Sequence, residues 1–392
     1  MSGTLVGVVG AGAMGRGIAQ LAAAAGHRVV LGDVVPGVVE RAREAMRAAL
    51  ARDVAKERIG QAAATATLAR VEDAGDLTLG FAAYARCGIV VEAIVEDLAA
   101  KRALLAALER VVGPDCVLAS NTSSLSIAAL AGGMAHPERV VGMHFFNPAP
   151  VLPLVEVVPA ITTGAGVADR VRDIAIAWGK TPVVASDTPG FIVNRIARPF
   201  YGESLRMLEE GIADVATIDW ALRTIGGFRM GAFELMDFIG NDVNFAVTSG
   251  VFEAFFYDPR YRPSLTQRRL VEAGLLGRKR ERGYYDYRAG AAPPVATQDQ
   301  ELGTYVVDRV LAMLVNEAVD AVHLRVASPR DIELAMTKGV NYPRGLLAWG
   351  DAIGAAEILR RLEWLQLEYG EDRYRPSPLL RRRVRDGQSL SS

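Results

Sequence analysis

His144, in Gly142-Met-His-Phe-Phe-Asn-Pro148, is one of four histidines in the chain and the one best placed for proton transfer. Histidine suits a general base because its ordinary pKa lies near neutrality. An apolar, strand-like run, Val140–Met143, delivers it to a sheet edge, and Asn147 follows in a proline-bounded loop. Glu156, twelve residues on, begins another strand-like run that could return to meet it. A carboxylate on the far ring nitrogen would fix the tautomer and stabilise the imidazolium as a proton arrives. A satisfied buried histidine is the competing reading. His27, before the second strand, is expected at solvent or a turn, His136 in a turn, and His323 in a helical repeat. Ser120-Asn-Thr-Ser-Ser124 ends another strand at the same edge. Its hydroxyls could hold a substrate oxygen or cap the next helix, and Ser124 is read as the cap.

A base for a hydroxyl proton is useful to an alcohol dehydrogenase only beside a hydride acceptor, and the chain carries a loop for one. Gly10-Ala-Gly-Ala-Met-Gly15 is a G-x-G-x-x-G between the strand-like Leu5–Val9 and the helical Ala13–Ala25. In such a loop Gly10 permits the tight turn, Gly12 lets backbone approach a pyrophosphate, and Gly15 allows close helix–strand packing. Ala13 and Met14 lie at the helix N-terminus that receives the phosphates. Asp33 follows the next strand-like run, 18 residues beyond Gly15. A carboxylate there accepts hydrogen bonds from ribose hydroxyls and repels a 2′-phosphate, so NAD is expected over NADP. FAD is the competing ligand, and nothing else in the chain points to a flavin. Glu96 and Lys101 follow the run Ile89–Val91 at the same edge, where a solvated helix start explains the acid as readily as a ligand contact. No metal site is expected.

Positioning these residues requires strands that end at one sheet edge. Runs at Leu5–Val9, Arg28–Leu31, Cys87–Val91, Val117–Ala119, Val140–Met143 and Val155–Val158 read as strands. Helical patterns at Ala13–Ala25, Val38–Arg58 and Leu98–Val112 separate the earlier ones. This alternation predicts an α/β, doubly wound, Rossmann-type parallel sheet, with an NAD-binding domain at 1–186. After Asp187-Thr-Pro-Gly190 the pattern turns helical, as in Ile192–Glu210, predicting an all-α domain over 187–290. Ala289–Thr297, rich in Pro, Ala and Gly, reads as a linker to a second all-α domain at 298–392.

The second helical stretch repeats the first. Ile192-Val-Asn-Arg195 recurs as Val306-Val-Asp-Arg309, 114 positions later. At the same offset Glu203 matches Glu317, Ile218 matches Ile332, and Gly231 matches Gly345. Arg260-Tyr-Arg-Pro-Ser264 recurs as Arg373-Tyr-Arg-Pro-Ser377. Two copies of one helical domain are predicted, packed about a pseudo-twofold that imitates a dimer contact within one chain. A homodimer and a monomer with this internal pseudo-dimer both remain open.

Composition narrows the partners. Hydrophobic content of 51% with 23% charged residues describes a soluble globular chain. A formal charge of −1 supplies no field favouring nucleic acid or an anionic membrane. No apolar stretch is long and clean enough to predict a membrane span, and the N-terminus lacks a signal-peptide pattern. Two cysteines, Cys87 and Cys116, argue against a disulfide framework and fit a reduced cytoplasm, with Cys87 expected as a small buried hydrophobe.

Taken together, the Gly10–Gly15 loop, Val90-Val-Glu-Ala-Ile-Val-Glu96, Ser120–Ser124, His144-Phe-Phe-Asn-Pro148 and Asp187-Thr-Pro-Gly-Phe-Ile-Val-Asn-Arg195 resemble the signatures of the (S)-3-hydroxyacyl-CoA dehydrogenase family, in order and spacing, over nearly the whole chain. The resemblance implies that His144 is the base and Glu156 its orienting partner. It implies that Ser123 and Asn194 hold the substrate oxygen, and that Glu96, Lys101, Ser123 and Asn147 contact NAD. Lys56 falls where the family has a CoA-binding lysine, although Ala49 replaces a neighbouring CoA-contact serine. Gly277-Arg-Lys-Arg-Glu-Arg-Gly-Tyr-Tyr285 departs from the family's Lys-Thr-Gly-like turn, and its charges are expected at solvent rather than on CoA phosphates. Asp308 stands where the first copy has Asn194, and its charge would repel a developing alkoxide, so the second copy is expected to be structural.

The resulting expectation is reversible, NAD-dependent oxidation of an (S)-3-hydroxyacyl-CoA, in fatty-acid β-oxidation, butanoate or aromatic-catabolite metabolism. Two alternatives stand beside it: a dehydrogenase of a free hydroxy acid or sugar acid, and a non-catalytic NAD-binding structural protein.

Overall fold

The computed structural model describes residues 3–392 and resolves two compact units, one ending at Thr188 and one running from Pro189 to Ser392.

The first unit is an eight-stranded sheet flanked by helices. Its strands are β1 (Val6–Val9), β2 (Val29–Gly32), β3 (Val71–Asp73), β4 (Ile89–Glu92), β5 (Val117–Ser120), β6 (Val140–Phe145), β7 (Leu154–Pro159) and β8 (Thr181–Val184). Its helices are α1 (Ala13–Ala24), α2 (Val38–Ala55), α3 (Gln61–Ala69), α4 (Leu98–Glu109), α5 (Ile127–Ala131) and α6 (Val167–Ala177). The strand order is β3-β2-β1-β4-β5-β6-β7-β8, so the winding reverses between β1 and β4. Ligands bind such sheets at that reversal, beyond the carboxyl ends of the strands. The central strands are nearly continuous runs of Val, Ile and Leu because helices cover both faces; Val6, Val8, Leu31, Ile89, Val91 and Val141 are buried.

In one respect the sheet is not the uniformly parallel one expected. β7 runs antiparallel to β6, pairing His144 with Glu156. Only Phe146–Pro153 separate the two strands, and a parallel crossover needs about a dozen residues or more. β3 and β8, which the pattern did not announce, are the sheet edges. β3 has three residues, two of them acidic, and β8 contains Pro182, which edge strands tolerate.

The second unit is helical: α7 (Val193–Ile196), α8 (Arg198–Glu209), α9 (Val215–Thr224), α10 (Ala232–Ile239), α11 (Asn241–Ala254), α12 (Leu265–Glu272), α13 (Gln300–His323), α14 (Pro329–Gly339), α15 (Leu346–Ile353), α16 (Ala355–Tyr369) and α17 (Pro378–Arg385). The single helix expected over Ile192–Glu210 is two helices, interrupted at Ala197. Pro199 explains the break, since it lacks an N–H and its ring crowds the carbonyl four residues back. Met313 occupies the matching place in α13, which runs unbroken for 24 residues. Buried most of the way around, α13 packs against α8, α9, α15, α16 and α17.

Matching side chains from the two helical stretches grip each other reciprocally. Arg195 Nε lies 2.6 Å from Glu317, and Arg309 Nε lies 2.9 Å from Glu203. Tyr261 Oη donates to Glu317 and Tyr374 Oη donates to Glu203. Arg375 pairs with Asp258 and Arg262 with Glu371. Each glutamate is therefore neutralised by the opposite stretch, which is the form an isologous contact takes.

Candidate active site

The dinucleotide loop is built by close backbone approach at the point of reversal. Gly10 has φ +97°, and a Cβ there would stand 2.5 Å from the Ala93 carbonyl oxygen at the end of β4. A Cβ on Gly15 would lie 1.7 Å from the Gly10 oxygen. Both positions thus require glycine, Gly15 for its packing on the turn itself. Gly12 differs: an added Cβ would meet nothing within 4 Å, so the space over the loop is open. Ala13, Met14 and Gly15 lie in the first turn of α1, where no helical carbonyl reaches their N–H groups and no acidic residue competes for them. Asp33, just beyond β2, accepts from Ala11 N at 2.8 Å and Val35 N at 2.9 Å, which fixes its carboxylate beside the loop. Phosphate-seeking N–H groups, an open cradle and a fixed carboxylate fit an adenine dinucleotide.

Along the same edge, β6 and β7 carry a buried histidine–carboxylate pair. His144 Nδ1 lies 2.6 Å from Glu156 Oε2, with the imidazole side chain 7% and the carboxylate side chain 0% exposed. The antiparallel register sets the two residues directly opposite. A carboxylate only accepts, so Nδ1 carries the proton and Nε2 is left as the acceptor nitrogen. The Phe146 ring packs 4.5 Å from the imidazole. Asn121 Oδ1 accepts from Phe145 N at 2.9 Å, which ties the end of β5 to the strand bearing His144. Asn147 is exposed in the loop that follows.

Ser123 belongs to a second network centred on Glu96. One Glu96 oxygen accepts from Thr122 Oγ1 at 2.6 Å, Ser123 N at 3.0 Å and Ser124 Oγ at 3.0 Å. Burial would raise this carboxyl, but the Thr122 hydrogen bond, the Lys101 cation, the Ser123 N–H and Ser124 together hold it below the ordinary carboxylate range. Lys101 Nζ lies 2.6 Å from Glu92 and 3.2 Å from Glu96, and its side chain is 1% exposed. Ser120 Oγ completes the group by donating to Glu92 at 2.6 Å.

Residues 5–188 match the family model for the NAD binding domain of 3-hydroxyacyl-CoA dehydrogenase, and residues 190–287 and 305–390 match that for its C-terminal domain. The chain belongs to the 3-hydroxyacyl-CoA dehydrogenase family. It is 40% identical to 3-hydroxyadipyl-CoA dehydrogenase of Escherichia coli K12, over 97% of this chain and 97% of that protein. It is also 40% identical to 3-hydroxybutyryl-CoA dehydrogenase of Bradyrhizobium diazoefficiens, over 75% of this chain and 98% of that one. The crystal structure of 3-hydroxybutyryl-CoA dehydrogenase from Escherichia coli K12 superposes with a TM-score of 0.91 at 39% identity, covering 97% of this chain and 98% of that chain. The protein is an NAD-dependent oxidoreductase of this family.

Several residues of the dehydrogenase sit differently from their sequence expectation. Ser124 does not cap α5; Ser126 does, through Ala129 N, while Ser124 donates to Glu96. Asp187 accepts from Ile127 N and Ala128 N and so pins the start of that helix. His27 closes the turn after α1 through its N–H on the Ala22 carbonyl but is not solvated: it is buried, with Nδ1 3.1 Å from the Thr4 carbonyl and its ring against Trp178. His136 is exposed beside Glu138, and His323 closes α13 next to Arg382. Cys87 and Cys116 are buried free thiols, pushed up by burial to about 12 and about 11.

In the second unit Asn194 lies half-buried on α7. Its counterpart Asp308 pairs with Arg361 at 2.9 Å, and burial holds its carboxyl above the ordinary range against that arginine's pull. Lys56, at the C-cap of α2 in the first unit, is exposed. In the Arg278–Arg282 segment, Arg278 pairs with Glu234 and Lys279 with Asp242, so two of the cations already have partners. Motif reading missed Glu92, Asn121 and Lys180. Lys180 Nζ donates to the Ala149 and Leu152 carbonyls, bracing the loop beyond Asn147. Asn121 was visible as the polar residue inside Ser120–Ser124; no local signal marks Lys180.

Proposed function

We propose that this dehydrogenase interconverts (S)-3-hydroxyacyl-CoA and 3-ketoacyl-CoA, with His144 as the base that takes the hydroxyl proton at Nε2. The observation that carries the reading is the buried 2.6 Å contact between His144 Nδ1 and Glu156, at the sheet edge that also bears the glycine loop. Binding a dinucleotide alone requires no such pair. NAD, when bound at Gly10–Gly15, supplies the acceptor for the hydride leaving C3. Glu156 holds the tautomer and offsets the imidazolium charge. Ser123 and Asn194 donate hydrogen bonds to the substrate oxygen as negative charge develops on it. Asp33 receives the adenosine ribose, and Asn147 contacts the cofactor. Glu96 contacts it also and holds Ser123 in place, with Lys101 acting through Glu96 because its ammonium is enclosed by protein groups.

Lys56 is the candidate for the CoA phosphates. Asp308 leaves the second helical copy without an oxygen donor of the Asn194 kind, so this copy serves as the internal partner of the first. The two buried thiols suit a reducing compartment such as the cytoplasm.

The test is reduction of acetoacetyl-CoA by NADH, followed at the nicotinamide absorbance. Wild type should turn over and His144→Ala should lose about 10²–10⁴-fold in kcat. Full rate in the variant would remove the proposed base. Activity on a free hydroxy acid with none on the thioester would favour the free-acid alternative, and NADH binding without turnover would favour the structural one.

A further inference from the structure

Glu92 and Ser120 end the neighbouring parallel strands β4 and β5 and stand side by side in the register. The Glu92 side chain is fully enclosed, at 0% exposure, so its charge needs compensation from within the protein. Oε1 accepts from Lys101 Nζ at 2.6 Å and from Ile94 N at 2.8 Å. Oε2 accepts from Ser120 Oγ at 2.6 Å. Each oxygen begins a route of contacts to the segment that bears Ser123.

The first route passes through a shared ammonium. Lys101 Nζ has three donors, and Glu92 Oε1, Glu96 Oε2 at 3.2 Å and the Ile94 carbonyl at 3.4 Å surround it. Glu92 is the nearer and the more deeply enclosed of the two carboxylates, so it claims the larger part of the cation. Glu96, 37% exposed, gathers Thr122 Oγ1, Ser123 N and Ser124 Oγ on its other oxygen. The second route is shorter. Ser120 Oγ accepts from Thr122 N at 3.2 Å, and Thr122 Oγ1 accepts from Leu125 N at 2.9 Å, so the turn is tied on either side of Ser123.

We infer that Glu92 is a positioning residue for Ser123: its buried charge holds Lys101 in the interior and so leaves Glu96 to fix the Ser123 loop. The inference rests on the reading above, in which Ser123 donates to the substrate oxygen. Glu92 acts at two removes, through Lys101 and Glu96 on one side and through Ser120 and Thr122 on the other. Without its charge the ammonium belongs to Glu96 alone, and the attraction draws that carboxylate away from the serine loop. Misplacing a group at the reacting centre by about 1 Å costs on the order of 10²-fold in rate.

Glu92→Gln tests the charge at nearly constant shape, because the amide oxygen still accepts from Ile94 N and the amide N–H can donate to Ser120 Oγ. In reduction of acetoacetyl-CoA by NADH, its kcat should fall about 10–100-fold while KM for the thioester stays within about threefold, since the Ser123 bond strengthens chiefly in the transition state. Adding Lys101→Met removes the unshared cation, so the double variant should regain about fivefold or more in kcat over Glu92→Gln alone. A merely structural Glu92 would instead lower the urea midpoint, with the double variant no more active than the single one. Ser120→Ala cuts the second route and should lower kcat about threefold. It supplies the reading if Glu92→Gln does not fold, as judged by NADH fluorescence titration. Wild-type kcat in Glu92→Gln, or in Ser120→Ala where the former does not fold, overturns the positioning role alone, as does a double variant without recovery. Absence of turnover by wild type overturns the dehydrogenase reading and the role with it.

Discussion

Replacing Glu156 by glutamine isolates the charge behind His144 at nearly constant shape. Glu156 is 0% exposed and His144 5%, so little water screens the pair. Their contact is 2.6 Å between Nδ1 and Oε2, with charge centres somewhat farther apart. Unit charges about 4 Å apart in an effective dielectric near 20 attract by about 4 kcal/mol, which is an upper bound on what the imidazolium loses. The glutamine oxygen can still accept from Nδ1 and recover part of the orienting effect. A net loss of about 3–4 kcal/mol corresponds to roughly 10²–10³ in kcat, with KM for the thioester nearly unchanged because the charge exists only once the proton has moved. Steady-state oxidation of (S)-3-hydroxybutyryl-CoA by NAD measures both constants in the direction in which the imidazolium forms, and NADH fluorescence titration verifies that the cofactor site survives. Combining Glu156→Gln with His144→Ala should be no worse than His144→Ala alone, since the carboxylate acts through the imidazole. A Glu156→Gln enzyme within about threefold of wild-type kcat would refute the reasoning.

Other consequences follow from contacts elsewhere. Gly15→Ala places a methyl group 1.7 Å from the Gly10 oxygen, so the loop must open; NADH affinity should fall at least about tenfold in a titration, and unchanged affinity would contradict the loop's role. Glu317→Ala leaves the buried Arg195 and Arg260 with Asp320 as their remaining ion-pair partner among the described residues, and should destabilise the helical unit by about 3–5 kcal/mol in chemical denaturation. Asp219 is raised to about 6, chiefly by burial, although it accepts from Phe233 N, Tyr285 Oη and Glu234 N. Its folded-state value exceeds the unfolded one, so the native state binds more protons between about pH 4 and 6 and this group's contribution declines as pH rises through that window. Asp219→Asn should remove up to about 3 kcal/mol of that slope, measured by urea denaturation across the window; an unaltered slope would locate the dependence in another group.

Much of the site was legible because local spacing and chemistry coincide there. The G-x-G-x-x-G loop is confined to six residues whose steric needs show in composition, and Asp33 follows at the end of the next strand. His144 and Glu156 are read together because the period of a strand is short and a return of eight residues leaves few registers. Ser124 was misread because a hydroxyl near a helix start resembles a cap until the actual partner is known, and Ser126, two residues on, makes the bond. His27 was misread for a similar reason: a polar residue before a strand gives no sign that Trp178, far along the chain, will cover it. The break at Ala197 was in principle visible, since Pro199 was present, but the apolar period continued across it.

By itself, the sequence determined the α/β-then-helical order, the cofactor loop, the candidate proton-handling residues and the family, because each depends on neighbours or on motifs a few residues long. The tertiary structure decided the antiparallel turn of β7, the enclosure of Lys101 by Glu92 and Glu96, and the cross-gripping of Arg195 with Glu317 and Arg309 with Glu203. It also decided that, among the described residues, Arg198 is buried without a carboxylate while its fellow buried arginines are paired. Burial and charge compensation depend on residues more than a hundred positions apart meeting in space, and no local period encodes which cation is left without an anion.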